Sequence, residues 1–313
     1  MGSDMHLKSI AVDNFDVFSV AGVLKGRFLS LIGGCIWFDL DNHQLLTQIP
    51  CHDWAFKGYT EMFSSLNVEF FTNLASRTQN VYENLPVLTT PYTTNYFHVT
   101  VECVAGLRLL DKHHSAVAIA PGLKKFKYQD ELISCCLRGK KRIEIEDFSI
   151  HKNPVLFFDY LCIEGTNYIR ESVNNFAAPG NSFIYIERNS SNRPAFGGLV
   201  ETQDFCNLLT YYNFKRVGFG SGEISLNNQI RMLDGARTIV SSHGAAMTNL
   251  IYMTPPLNVI ELVNRPFSVR TCYEDICKYL GFNYHKIIID ECDHNGNMLM
   301  DVSILNNLLQ RLN

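Results

Sequence analysis

Strand and helix signals alternate along the C-terminal half of this 313-residue chain, and that alternation restricts the fold more than any other feature. Short apolar runs predict strands, and the segments between them have apolar residues three and four positions apart, which predicts helices. Strands that alternate with helices form a parallel sheet with helices on both faces. We therefore predict an α/β fold. The predicted strands are 182–186, 215–219, 238–241, 258–263 and 284–289.

Helix-end signals support this pattern. Thr202 and Ser225 are residue types that cap the start of a helix, and Gly281 is the type that most often ends one. In such a sheet, ligands bind outside the carboxyl ends of the strands. The predicted helices follow Thr202, Ser225 and Gly244, and cover 269–280 and 302–312.

The N-terminal half carries weaker signals of the same kind. Glycine, asparagine and proline cluster between Cys162 and Pro179, which favours a domain boundary there. We predict two Rossmann-like domains, residues 1–165 and residues 166–313. In the first domain the sequence predicts helices over 58–76 and 95–110, and strands within 28–38, 115–120, 142–145 and 155–162.

Composition excludes several classes of protein. The hydrophobic fraction of 46% and the charged fraction of 19% are those of a globular protein, and the length suits two domains of roughly 150 residues each. A net charge of -4 gives nucleic-acid binding no electrostatic support. No apolar run reaches the ~20 residues that span a bilayer, and no signal-peptide core is visible, so we expect a cytoplasmic protein. The ten cysteines include no Cys-x-x-Cys pair, which favours reduced thiols.

A predicted anion site follows the third strand of the C-terminal half. Ser242, His243 and Gly244 join that strand to the start of a helix, whose first N–H groups have no partner within the helix. Gly244 allows close approach of a phosphate, and His243 can donate a hydrogen bond to it. The alternative is an ordinary strand-to-helix turn with a hydrogen-bonded histidine. The candidate ligand-binding residues here are Ser242, His243, Gly244, Ala245, Thr248 and Asn249.

Three charged residues are expected to join this site. Arg188 and Arg193 lie in the loop after the first strand, and arginine forks match diphosphate oxygens. Glu261 lies inside an apolar strand, where a carboxylate can accept from ribose hydroxyls. The alternatives are solvated loop arginines, and a pairing of Glu261 with Arg265.

A possible general base lies in the N-terminal half. His98 and Glu102 are four residues apart, which places them on one face of a helix, and Asn95 precedes them. A histidine–carboxylate pair in a cleft is a credible base for deprotonating a hydroxyl. The alternative is an ion pair on a helix surface.

Two further motifs are less specific. Asp39-Leu40-Asp41 has the Asp-x-Asp spacing of metal-dependent sugar-nucleotide enzymes, although a strand end or turn explains it as simply. The glycines between 218 and 222 suggest a dinucleotide loop, but the full Gly-x-Gly-x-x-Gly spacing is missing.

In their order along the chain, these segments resemble glycosyltransferase family 61, which includes plant xylosyl- and arabinosyltransferases and related O-linked N-acetylglucosaminyltransferases. Two positions depart from the family pattern: Glu102 stands where the family usually has Asp, and Glu187 where it often has Ser. The matching residues are Asn95, His98, Glu102, Arg188, His243-Gly244-Ala245, Thr248-Asn249-Leu250 and Val259-Ile260-Glu261-Leu262.

The resemblance implies a GT-B architecture, with two Rossmann-like domains facing each other across a cleft and the last helix crossing back. Residues 1–165 would form the acceptor side, and residues 166–313 would bind the donor. It implies inverting, metal-independent transfer from a UDP-sugar to a hydroxyl of a glycan or glycoprotein, with xylose favoured over N-acetylglucosamine and no cofactor beyond the donor. Glu102 would act as the base with His98, supported by Asn95. Arg188, His243 and the helix start would stabilise the leaving diphosphate. Since the anchor and stem of Golgi members are not seen, a soluble, minimal, viral or microbial form is expected.

Two other functions stay open on the sequence alone. One is a GT-B-like protein that binds a nucleotide or glycan without catalysis, to which the departure at Glu102 points. The other is a metal-dependent GT-A-like transferase that uses Asp39 and Asp41.

Overall fold

The chain divides into two compact units, residues 1–173 and 174–313. The sequence placed the boundary after residue 165, which lies inside the last helix of the first unit, Ile163–Val173. Each unit has its own sheets and its own buried core. The computed structural model describes residues 8–10, 19–31, 36–46, 66–90, 92–110, 114–159, 161, 163–188, 198–220 and 222–312.

The first unit is built from short strands. Within its described residues the helices are α1 (Val68–Arg77), α2 (Lys127–Cys136) and α3 (Ile163–Val173), with a π-helical segment at His98–Val104 and 3₁₀ turns at Ala105–Leu109 and Pro121–Lys124. The strands, in chain order, are β1 (Lys8–Ile10), β2 (Ser19–Val23), β3 (Arg27–Leu31), β4 (Ile36–Asp39), β5 (Gln44–Leu46), β6 (Val81–Glu83), β7 (Pro86–Leu88), β8 (Ala116–Ile119), β9 (Lys141–Glu144), β10 (Ile150–Lys152) and β11 (Val155–Asp159).

One sheet of this unit agrees with the predicted α/β pattern. Its order is β2-β11-β7-β8-β9, and every pair in it is parallel except the antiparallel pair of β2 and β11. The strands predicted within 115–120, 142–145 and 155–162 all lie in this sheet, as β8, β9 and β11. The predicted helix over 95–110 is present as the π-helical and 3₁₀ segments, so its existence is confirmed and its helix type is not the expected one.

The other sheet is a feature that the sequence did not predict. Its order is β1-β5-β4-β3-β10-β6, with antiparallel pairing from β5 through β4 and β3 to β10. Helix α1 covers part of it, and Phe38 stacks on Phe71 with ring centroids 4.4 Å apart. Part of the helix predicted over 58–76 is observed as α1, which begins at Val68 after the N-cap residue Asn67. Residues 58–65 lie outside the described residues.

A buried histidine lies in this mixed sheet. His151 is 1% exposed, its Nε2 is 2.8 Å from Ser149 Oγ, and its ring meets Trp37 edge-on at 4.9 Å. Ser149 Oγ is in turn 3.0 Å from Ser30 Oγ. Burial lowers the pKa of His151 from its ordinary 6.5 to about 4. The neutral imidazole is therefore the form that the folded chain accommodates.

This histidine makes the stability of the chain depend on pH. As pH falls from about 6.5 to about 4, the unfolded chain takes up the proton before the folded one, so stability is lost over that window. We expect His151 to remove about 2 kcal/mol from the free energy of unfolding between pH 7 and pH 5. Urea unfolding at both pH values measures this loss. The variant His151→Phe keeps a ring beside Trp37 but cannot take up a proton. Its free energy of unfolding should fall by about 2 kcal/mol less than that of the wild type between pH 7 and pH 5. An equal fall in both proteins would contradict the prediction.

The second unit is the α/β domain that the alternation predicts. Its described helices are α4 (Gln203–Tyr211), α5 (Leu226–Met232), α6 (Cys272–Leu280) and α7 (Val302–Leu312), with 3₁₀ segments at Ala245–Tyr252 and Arg265–Phe267. The strands pair in parallel throughout, in the order β13-β12-β14-β15-β16. This is the doubly wound order 2-1-3-4-5. The strands are β12 (Ser182–Ile186), β13 (Lys215–Val217), β14 (Ala236–Ser242), β15 (Asn258–Asn264) and β16 (Asn283–Ile289).

The residues predicted to cap helices in this unit do so. Thr202 Oγ1 accepts from the backbone N–H of Phe205 at 3.3 Å, and Ser225 Oγ accepts from that of Asn228 at 3.2 Å. Gly281 ends α6 in the left-handed conformation, with φ of +72°. Two predicted helices differ from those observed: α6 begins at 272 rather than 269, and the segment after Gly244 winds as a 3₁₀ helix.

Helices cover both faces of this sheet. Helices α4 and α7 pack on one face, where their leucines meet Val240 and Ile260. Ile239 and Val259 alternate with these residues and are also fully buried, which places them against the opposite face. Helix α6 and the 3₁₀ helix pack together, and α6 also contacts β16. Within the part of the chain that the structure describes, every helix is too short or too polar to cross a membrane.

Candidate active site

The donor-side candidates meet where the strand order of the second unit reverses. The chain leaves β12 toward β13 on one side, while β14 lies on the other side of β12. Such a switch point opens a crevice at the carboxyl ends of the two strands. Arg188 follows the end of β12 by two residues and His243 follows β14 directly. The Arg188 guanidinium donates to the backbone carbonyl of His243, so the structure brings these two predicted residues together.

The His243 side chain is held by a buried carboxylate. His243 Nδ1 is 2.5 Å from Glu261 Oε1, and the Glu261 residue is 1% exposed. The other carboxylate oxygen of Glu261 accepts from the Tyr284 hydroxyl. Burial and the nearby Glu261 charge raise the pKa of Tyr284 well above its usual range, so its hydroxyl stays protonated and donates. The alternative partner for Glu261, Arg265, instead binds Asp290 at 2.5 Å and 2.8 Å.

Gly244 begins the 3₁₀ helix and lies next to Arg188. Gly244 is the N-cap residue of the 3₁₀ helix and its φ of 174° is extended, so no special backbone conformation requires glycine here. A Cβ at this position would lie 3.5 Å from Arg188 Nη1, an ordinary contact. The Gly244 carbonyl accepts from Tyr273 Oη at 2.7 Å. The Arg188 side chain therefore lies directly against the backbone of Gly244.

The remaining residues of this segment differ in exposure. Residues His243 to Ala246 are half-buried, so Gly244 and Ala245 can meet a ligand. Thr248 and Asn249 are fully buried, and Asn249 Nδ2 donates to Ala246 O at 3.1 Å. Their position fits support of the turn better than contact with a ligand. Ser242 is 2% exposed, and its hydroxyl has no hydrogen-bond partner among the described residues.

The base candidates form a pair in the first unit. His98 Nδ1 is 2.6 Å from Glu102 Oε2. The side chain of Glu102 is 0% exposed and that of His98 is 15% exposed. Tyr92 stacks on the His98 ring with centroids 4.4 Å apart. Asn95 Oδ1 accepts from the Phe97 N–H at 3.0 Å, which fixes the turn that enters the helix.

The pair lies in the π-helical segment His98–Val104. π-Helical turns are rare and occur frequently at functional sites. The predicted shared face is confirmed by the contact between His98 and Glu102, and the surface ion-pair alternative is wrong because Glu102 is fully buried.

Comparison with known proteins identifies the family of the chain. A family model described as Glycosyltransferase 61 matches residues 56–260, which is more than half of the chain. The chain belongs to glycosyltransferase family 61. The matched range contains the π-helical pair, Arg188 and the segment after β14, and it ends one residue before Glu261.

The family assignment confirms the resemblance predicted from the motifs. A 62-residue segment is also 32% identical to a beta-1,2-xylosyltransferase of Arabidopsis thaliana. The segment is 20% of this chain and 11% of the length of that relative. The chain therefore spans only a small part of the curated relative that it matches.

Both departures from the family 61 pattern have structural partners. Glu102 is held by His98, as above. Glu187 Oε1 accepts from Arg216 Nε at 2.5 Å, and the same guanidinium pairs with Glu201. Arg216 is shared between Glu187 and Glu201, so the Glu187 carboxylate has a cationic partner next to the candidate anion site.

The Asp39–Asp41 motif forms a turn in this family 61 chain. Asp39 Oδ1 accepts from the backbone N–H groups of Asp41 and Asn42 at 2.9 Å and 3.0 Å. The Asp41 carboxylate pairs with Arg27 at 2.8 Å, and the hydrogen bonds from Arg27 lower the pKa of Asp41. Both carboxylates thus have turn-stabilising partners. Over the described residues, no group of three His, Cys, Asp or Glu side chains is arranged to hold a metal ion.

Arg193 and the glycines near 218 are the remaining predicted residues, and two tyrosines join the site without having been predicted. Arg193 lies outside the described residues, so its predicted role stays a prediction. The glycines near 218 follow β13, and Gly220 has a φ of +61° that suits a tight turn. Tyr273 and Tyr284 were missed by the sequence reasoning. Their hydroxyl groups contact the site only because α6 packs on the 3₁₀ helix and β16 pairs with β15, a juxtaposition that no local pattern reveals.

Proposed function

We propose that this chain is an inverting, metal-independent glycosyltransferase that moves a sugar from a UDP-sugar to a hydroxyl of a glycan or glycoprotein. Membership of family 61 supports the transferase activity. The matched Arabidopsis protein is a beta-1,2-xylosyltransferase, which supports xylose as the first donor sugar to test, with N-acetylglucosamine next. We further propose the GT-B arrangement, in which the two units would face each other across a cleft.

The convergence of Arg188 and His243 at the switch point is the observation that carries this proposal. A UDP-sugar has a diphosphate that gains negative charge as the sugar leaves. A guanidinium, an imidazole and the N–H groups of a helix start are fixed donors that stabilise such charge. The donor diphosphate would lie beside Gly244, where the Arg188 guanidinium is close to the backbone.

Deprotonation of the acceptor is assigned to His98. The complete burial of Glu102 favours His98, which keeps 15% of its side chain exposed, as the group that meets the acceptor hydroxyl. Glu102 would hold Nδ1–H and stabilise the imidazolium that forms, as the carboxylate does in other histidine–carboxylate pairs. The hydroxyl oxygen would then attack the anomeric carbon as the bond to the diphosphate breaks, which inverts the configuration.

The function is tested by measuring UDP release from a panel of UDP-sugars in the presence of xylosyl and glycan acceptors, with and without EDTA. Turnover with UDP-xylose that is unchanged by EDTA is the expected result. UDP binding without turnover on any acceptor of the panel would favour the non-catalytic alternative. Loss of turnover in EDTA would contradict metal independence.

Removal of the His243 side chain should weaken donor binding. In His243→Ala the hydrogen bond to the diphosphate is lost, and the buried Glu261 carboxylate loses one donor. We expect the Kd for UDP to rise about 10–100-fold, which corresponds to a charge-assisted hydrogen bond. Calorimetric titration with UDP measures this. An unchanged Kd would leave His243 only the role of a turn residue.

A further inference from the structure

We propose that Glu261 and Tyr284 form, with His243, a relay that fixes which nitrogen of the His243 ring meets the donor, so that Glu261 acts as a positioning residue and not as a contact of the donor ribose. The inference rests on the proposed function, because the donor diphosphate is the group that His243 would meet. It adds a residue, Tyr284, that neither the motifs nor the family match includes.

The Glu261 carboxylate has a hydrogen-bond partner at each of its two oxygens. One oxygen of Glu261 is 2.5 Å from His243 Nδ1 and the other accepts from the Tyr284 hydroxyl. The Glu261 side chain is 2% exposed, while that of His243 is 22% exposed. Both oxygens thus have a donor inside the protein, and the outward-facing member of the relay is the imidazole.

The protonation states follow from the neighbours of Glu261. Tyr284 keeps its proton, because burial and the Glu261 charge both raise its pKa. The thiols of Cys272 and Cys277 are also neutral, since burial, and then the Glu261 charge, raise the pKa of each to about 12. Because Tyr284 keeps its proton, the Tyr284 hydroxyl donates to one oxygen of Glu261, and the other oxygen accepts from His243 Nδ1–H. The proton shared with His243 therefore lies on Nδ1.

A histidine with Nδ1–H fixed has one nitrogen left for a ligand. The bond to Glu261 and the ring of Tyr273, with its centroid 5.2 Å from that of His243, hold the orientation of the imidazole. A neutral ring with Nδ1–H can donate to a diphosphate only after Nε2 takes a proton from solvent; the ring would then donate to phosphate on one side and to carboxylate on the other. The anion and the carboxylate then share one cation, as in other carboxylate–histidine pairs.

If Glu261 contacts the donor ribose directly, its effect on UDP binding should relate differently to that of His243. If Glu261 accepts from the ribose, its effect on UDP binding should be independent of His243. If it acts through His243, its effect should vanish once His243 is removed. A double-mutant cycle on UDP binding separates the two cases.

The cycle compares wild type, Glu261→Gln, His243→Ala and the double variant by calorimetric titration with UDP. We expect Glu261→Gln to raise the Kd about 10–100-fold, and the double variant to equal His243→Ala within about twofold. A clearly weaker Kd in the double variant than in His243→Ala would overturn the relay in favour of direct contact. Tyr284→Phe, which removes one donor and no charge, should raise the Kd by a smaller factor in the same direction.

Glu274→Gln is the matched control for the charge change. Glu274 lies on α6, its side chain is 49% exposed, and its carboxylate pairs with Lys286 at 3.2 Å. We expect this variant to bind UDP like the wild type. A Kd raised as much as in Glu261→Gln would mean that general charge, and not the relay, sets the affinity, and would overturn the proposal.

A spectroscopic readout tests the relay without any ligand. Side-chain ¹⁵N resonances of His243, assigned by their loss in His243→Ala, report which ring nitrogen carries the proton. We expect Nδ1–H in the free wild type, and loss of that preference in Glu261→Leu, which offers no acceptor. An Nε2–H tautomer in the wild type would overturn the relay. If UDP fails to bind the wild type, the proposed function is wrong, and this measurement still decides the relay.

Discussion

His98→Ala is expected to lower kcat about 10²–10⁴-fold while the Kd for UDP stays within about twofold, because general-base catalysis supplies that much and His98 lies outside the donor cluster. The separation of kcat from donor binding follows from the location of the two clusters in different units. Steady-state kinetics with UDP-xylose and calorimetry with UDP check the two quantities.

Variants at Glu102 are the controls for this pair. Glu102→Asp restores the residue type usual in the family but shortens the reach to His98 Nδ1, now 2.6 Å away, so we expect partial activity. Glu102→Gln should lose more, because a neutral amide does not stabilise an imidazolium. Each variant needs a thermal melt, since Glu102 is fully buried. Unchanged kcat in both His98→Ala and Glu102→Gln would show that the base is another group.

Arg188→Ala is the second change with a large expected effect. It removes a fixed positive group from the switch point, and loss of one preorganised donor from a site of developing charge costs about 10²–10³-fold in kcat. We therefore expect kcat/KM for the UDP-sugar to fall by at least that factor. Arg188→Lys keeps a charge without the planar fork and should recover only part of the activity.

Arg265→Ala is the control for this prediction. Its guanidinium is exposed, pairs with Asp290, and lies in the same unit as Arg188. We expect its kcat/KM to equal that of the wild type. Since Arg188 also donates to the His243 carbonyl, a thermal melt separates loss of chemistry from loss of the loop structure. Normal turnover in a folded Arg188→Ala would remove the switch point from the proposed mechanism.

Local sequence patterns predicted the second unit well. Each of its predicted strands is present, the Thr202 and Ser225 caps form, and Gly281 ends α6. These features depend on residues close together in the chain: a cap reaches three residues, and the apolar face of a helix repeats within two turns. The parallel sheet then follows, because strands separated by helices connect most simply in that way.

The first unit was predicted less well for the opposite reason. β3 pairs with β10, more than a hundred residues later, and strands of three to five residues carry little periodic signal. The pairing of short, distant strands depends on the whole chain and not on its local pattern. The mixed sheet was therefore missed, although its strands within 28–38 were predicted.

The sequence by itself determined the family, the doubly wound sheet of the second unit and the positions of Arg188, His98 and His243 at strand ends or on one helix face. The tertiary structure decided what these side chains meet. It placed Tyr284 and Glu261 behind His243, set Arg216 beside Glu187, and buried Glu102 completely. Motifs record residue types and spacing, but the proton on an imidazole depends on groups that only the packing of strands and helices brings within 3 Å.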